Sequence, residues 1–73
     1  MRRFTYVEPG EDGVTPVYYT VSDDYILEEY FPYWLSKMKE VGRDPGIITH
    51  AVLDRCIDDF CVVHWATEVR ADA

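Results

Sequence analysis

Residues 23–41, DDYILEEYFPYWLSKMKEV, set Leu27, Tyr30, Phe31, Trp34, Leu35, Met38 and Val41 on one arc when successive side chains turn by about 100°. Tyr25, Glu29, Pro32, Ser36 and Glu40 point away, and Tyr33 sits just beyond the edge of the arc. The pattern predicts an amphipathic helix that carries much of the bulky apolar material of the chain. Ser22 stands at the N-cap and Asp23 and Asp24 fall in the first turn, where carboxylates meet the positive end of the helix dipole. Lys37 and Lys39 complement the other end, and Gly42 suits a left-handed stop. Pro32 lacks the N–H that would bond to Glu28 and its ring crowds that carbonyl. One helix bent at Pro32 is the expectation, with two short helices as the alternative.

Any core must be assembled against this helix, because 73 residues bury only roughly 60% of their unfolded surface. Hydrophobic residues at 48% and eleven aromatics (six Tyr, three Phe, two Trp) are too many for a disordered segment. One small acidic domain over residues 1–73 is expected. Fourteen acidic residues against seven basic give a net charge of −7, spread along the chain rather than gathered in a tail. Such a field repels nucleic acid and anionic membranes and favours basic protein surfaces. There is no apolar leader and no run of eighteen apolar residues, which predicts a cytoplasmic protein. Cys56 and Cys61 are too few for a disulfide scaffold and fit reduced thiols.

Residues 3–8 (RFTYVE) and 16–21 (PVYYTV) flank the turn-rich stretch Pro9-Gly10-Glu11-Asp12-Gly13, which predicts a hairpin with a long loop and an open register. Asp44-Pro45-Gly46 has the residue order of a type II turn. Val52, Leu53, Cys56, Ile57 and Phe60 recur at helical spacing, predicting a second helix from Thr49 to about Asp59. Residues 60–69, FCVVHWATEV, are β-branched and aromatic and read as a central strand, with Cys61, Val63, Trp65, Thr67 and Val69 on one side. The order ββααβ predicts an α+β fold, a three-stranded, mostly antiparallel sheet with two helices on one face. The other face would then expose apolar side chains, together with Tyr18 or Tyr19, as a partner or dimer contact.

Catalytic signatures are weak. Asp58 and Asp59 near His64 have no nucleophile, phosphate-binding loop or metal clamp beside them, so no enzyme is expected. His50, Cys56, Cys61 and His64 match no paired metal-ligand spacing, and on a strand Cys61 and His64 face opposite ways, so neither metal nor cofactor is expected. Asp24 and Glu28, like Asp54 and Asp58, lie four apart on predicted helices. Each like-charged pair costs about 0.2–0.5 kcal/mol, so a selected acidic surface competes with a merely solvated one; Arg55 and Asp59 suggest an ordinary ion pair beside it.

At CIDDFCVVHWATEV the chain resembles a set of short phage and prophage proteins of unassigned function. The likeness lies in the order of parts over residues 17–69: VYYTV, then ILEEYFPYW, then CIDDF-x-VV-x-W-A-x-E. It implies the company of proteins that bind and inhibit a host enzyme, restriction and CRISPR nucleases included. The expected function is therefore an anti-defence inhibitor, such as an anti-CRISPR protein or nuclease inhibitor, acting by contact with a host protein that has a basic nucleic-acid-binding surface, either by nucleic-acid mimicry, with the spaced carboxylates in place of phosphates, or by an aromatic interface. Asp24, Glu28, Asp54, Asp58, Asp59, Tyr18, Tyr25, Tyr33 and Trp65 are the expected contact residues, with direct nucleic-acid binding not expected. A structural or adaptor module that forms a homodimer through the open sheet face is the alternative.

Overall fold

The structure, a computed structural model, describes residues 2–69. It has an α+β fold: β1 (Arg3–Pro9), β2 (Pro16–Ser22), α1 (Asp23–Glu29), α2 (Phe31–Glu40), α3 (His50–His64) and β3 (Thr67–Val69). The sheet is antiparallel with strand order β2-β1-β3. Its extents of 40 × 34 × 17 Å are those of a slab with one sheet layer and one helix layer. No helix among the described residues is long and apolar enough to cross a membrane.

Strand alternation decides what faces the helices. Phe4 is buried on that side, and Tyr6 and Glu8 follow it; the register adds Val21, Tyr19 and Val17 from β2 and Glu68 from β3. Phe4 packs with Ile26, Ile57 and Phe60 in one cluster, while Trp34, Val52 and Cys56 form a second. Leu27 and Tyr30 touch both clusters and join them.

The sharp local signals hold. The Ser22 hydroxyl accepts the Tyr25 N–H at 3.1 Å. Gly42 has φ +76 and the Arg43 N–H returns to the Met38 carbonyl at 2.7 Å, the bond that closes a helix on a left-handed residue. Gly46 has φ +74 beside Pro45. Thr49 caps α3 through the Val52 N–H.

Two expectations need correction. The long helix is not one bent rod but two helices, the alternative reading, divided at Tyr30 with Pro32 in the first turn of α2. A proline there loses only a bond the helix start would lack anyway. The apolar arc nevertheless runs on across the division: Leu27, Tyr30, Phe31, Trp34, Leu35 and Met38 are buried or half-buried, Ile26 joins them wholly buried, and Val41, at the C-cap, is largely exposed.

The second correction is larger. Residues 60–64 are not a strand; α3 runs to His64, and β3 keeps only Thr67–Val69 at an edge, while β1 is central. Phe60, Cys61 and His64 prolong the three-and-four spacing of Ile57, so packing outweighs β-branched propensity. The face away from the helices consequently carries Arg3, Thr5, Val7, Tyr18, Thr20, Thr67 and Val69. It is a mixed surface rich in threonine and lacks the apolar strand expected there.

Candidate protein-interaction surface

The outstanding residue is Trp65. It ends α3 in the left-handed region, φ 57 and ψ 36, while the Ala66 N–H closes on the Cys61 carbonyl at 2.9 Å. Among the described residues it alone has a positive φ without being glycine. That conformation costs a residue with a Cβ on the order of 1–2 kcal/mol, and the indole recovers none of it by packing, because the residue is 90% exposed. Val62 and Val63 on the last turn of α3 are also exposed. Val63 lies at nearly the same helical angle as buried Cys56, so the apolar face of α3 runs past the part that α2 covers.

Beside this end of α3 an aromatic band crosses the helix layer. Tyr19 stacks on Tyr6 (centroids 5.3 Å), Tyr6 meets His64 (5.3 Å), His64 meets Tyr30 (6.2 Å), and Tyr30 meets Tyr33 (5.8 Å). Phe60 supports the band from beneath, 4.3 Å from His64. Nδ1 of His64 lies 3.7 Å from the Glu8 carboxylate. Burial, with the Glu8 charge next, raises the Tyr6 hydroxyl above its ordinary range. Tyr33 is exposed at its margin, and Tyr25 is exposed on α1. Tyr18 is exposed as well, but on the opposite face of the sheet.

The expected acidic residues divide. Asp24 and Glu28 are exposed on α1. Asp54 is 3.8 Å from Arg2, whose guanidinium also makes a two-point contact with Glu68 (3.0 and 3.1 Å) and lies over the Phe4 ring. The Glu68 bond leads the causes that raise the Arg2 pKa, with Asp54 and Asp58 adding to it. Asp54 and Asp58 therefore flank a cation that ties β1, β3 and α3 together. Asp59 does not pair with Arg55; it accepts the Trp34 Nε1–H at 2.6 Å in a half-buried setting, which makes it part of the second core cluster.

Cys61 and His64 do not face opposite ways: on a helix, three residues apart, they share a side. No group of three metal-capable side chains converges among the described residues. Cys56 is fully buried, and that burial, with the Asp59 charge behind it, pushes its thiol up to about 11. A concavity at the hairpin turn, lined by Val7, Glu8, Pro9, Gly13, Val14 and Pro16, encloses about 240 Å³, below the usual size of small-molecule sites.

Of the nine expected residues, Tyr33 touches the aromatic band and Trp65 follows His64 directly in the chain. Tyr25, Asp24 and Glu28 are exposed on α1, Tyr18 is on the far face of the sheet, Asp54 and Asp58 flank Arg2, and Asp59 holds the Trp34 indole. Tyr6, Tyr19, Tyr30, His64, Val62 and Val63 were missed, and the helical spacing of Phe60 and His64 was the signal available. No protein-family model matches the chain, and neither the curated proteins nor the solved structures contain a significant match. The resemblance to phage proteins thus rests on the quoted motifs alone.

Proposed function

We propose that the chain is a non-catalytic inhibitor of the phage anti-defence kind, which docks on a host protein through Trp65, with Val62, Val63 and Tyr33 as further contacts. The observation that carries this reading is Trp65 itself, a large aromatic held 90% exposed in a strained backbone conformation where glycine would serve the fold better. Tryptophan is the residue type most enriched among binding hot spots. The carboxylates on α1 and α3 act at longer range, steering the protein to a basic, nucleic-acid-binding surface.

The test is capture from host lysate with three baits: the wild type, Trp65→Gly, and a variant with Asp24, Glu28, Asp54 and Asp58 neutralised. A retained protein that Trp65→Gly loses, and that the charge variant binds more slowly and with less dependence on salt, supports the reading. Equal retention of one protein by all three baits overturns it. A loss confined to the charge variant transfers the function to acidic mimicry of nucleic acid.

A further inference from the structure

Among the described residues no strand pairs with the outer edge of β2, and the hydrogen-bonding pattern of that edge follows from the β1–β2 register. Pro9 faces Pro16, and neither has an N–H, so their pair is not hydrogen-bonded. Pairs alternate from there. The Gly10 N–H to the Thr15 carbonyl (2.7 Å) beyond one end and the Asp23 N–H to the Arg2 carbonyl (3.0 Å) beyond the other fit that alternation. Tyr18, Thr20 and Ser22 consequently turn their N–H and C=O groups away from β1, towards the side of β2 on which the sheet has no further strand among the described residues. β2 is exposed from Pro16 to Thr20.

Edge strands are ordinarily protected by charge, bulges or a covering segment. β2, PVYYTVS, has no charged residue, the only described element of which this is true. Its one defence is Pro16, at the end. In a chain of net charge −7, this uncharged strand is where a second copy approaches with the least repulsion; the nearest carboxylates in its neighbourhood, Glu8 across from Val17 and Asp23 after Ser22, lie behind the strand and past its end.

We propose that β2 pairs with β2 of a second copy, antiparallel about a two-fold axis at Tyr19, and joins two three-stranded sheets into one. The sequence suits this register. Tyr18 meets Thr20 of the second copy and Thr20 meets its Tyr18, so the outward-pointing groups close two hydrogen-bonded rings. Each Ser22 N–H faces a Pro16 carbonyl. Tyr19 meets its own copy in a close, non-hydrogen-bonded pair, which extends the Tyr6–Tyr19 stack across the axis. Both facing pairs, aromatic with aromatic and aromatic with β-branched, are favourable across strands. The proposal does not depend on a host target.

Sedimentation across concentration, with circular dichroism to confirm folding, tests it. A reversible dimer is expected that tightens between about 0.05 and about 0.5 M salt, as like charges are screened. Thr20→Pro removes an outward N–H that β1 does not use, and the double change Tyr18→Lys with Thr20→Lys sets lysines on the edge. Each should weaken the dimer at least tenfold with the fold intact. In a Cys61→Ala background, Tyr19→Cys should form an interchain disulfide under mild oxidation, since facing Cα atoms of such a pair lie about 4.5 Å apart. Tyr18→Cys should not, its copy being roughly 8 Å away, past the reach of a disulfide of about 7 Å. A monomer at about 500 µM, above the micromolar end of the range for standard-size interfaces, overturns the proposal. So does a dimer indifferent to the edge variants, or cross-linking through Tyr18→Cys but not Tyr19→Cys.

Discussion

Trp65 shows how a single residue can work against the fold and still be kept. Replacing it with glycine removes the left-handed strain, on the order of 1–2 kcal/mol, and offsets part of the gain by loosening the unfolded chain, about 0.5–1 kcal/mol. Trp65→Gly is therefore expected to leave stability unchanged or raise it by up to about 1.5 kcal/mol in urea denaturation. A loss above about 1 kcal/mol would show that the indole stabilises the fold. Cys56 makes a second prediction at this scale. Its thiol is raised from 9.0 to about 11, so the folded state holds that proton more tightly than the unfolded one. The stabilisation is complete below about pH 9 and is lost as pH rises to about 11. Tyr6 and Tyr30 are raised by burial too, so the contribution of Cys56 is read as the difference between wild type and Cys56→Ala across that window. An equal pH dependence in the two proteins would contradict the assignment.

At the scale of elements, the second cluster depends on one polar bond. Trp34 is nearly fully buried, and its Nε1–H reaches a half-buried Asp59. Trp34→Phe keeps a ring but leaves that carboxylate without its donor, at an expected cost of about 2 kcal/mol. A double-mutant cycle with Asp59→Ala should return a coupling of about 1 kcal/mol or more; additive effects would mean that the bond contributes nothing. The start of α3 rests on Thr49, where Thr49→Ala should cost about 1 kcal/mol. Helix caps and tight turns were readable because they follow local rules: Ser22 and Gly42 at the helix ends and Gly46 in its turn each do what their residue type suggests. At the end of α3 two local signals conflicted, the helical spacing of Phe60, Cys61 and His64 and a β-branched, aromatic composition. FCVVHW has strand-like composition, and only the contacts of Phe60 and His64 with Tyr6 and Tyr30 show why the helix continues.

For the whole molecule, a charge of −7 on a thin slab gives opposite salt responses to the two proposed contacts. Binding to a basic host surface should weaken as salt rises, since opposite charges attract at long range; pairing through β2 should strengthen, since the two copies repel. Measuring both on one preparation separates them. If dimerisation weakens with salt, an acidic-to-basic contact between copies replaces the β2 edge. Trp65 lies beyond the C-terminal end of α3 and the open edge lies along β2, so the Trp65→Gly and Thr20→Pro variants test different parts of the fold.

The sequence by itself determined the class of fold, the hairpin, the apolar face of α3 and most helix ends. Each is set by neighbours within a few residues, through alternation, helical spacing or the conformational freedom of glycine and proline. Only the tertiary structure decided where the long helix divides, that residues 60–64 stay helical, that Asp59 serves the core, and which strand ends with a free edge. Those outcomes depend on residues far apart in the chain, such as Trp34 with Asp59 or Tyr6 with His64, and on a β1–β2 register that the hairpin loop alone left open.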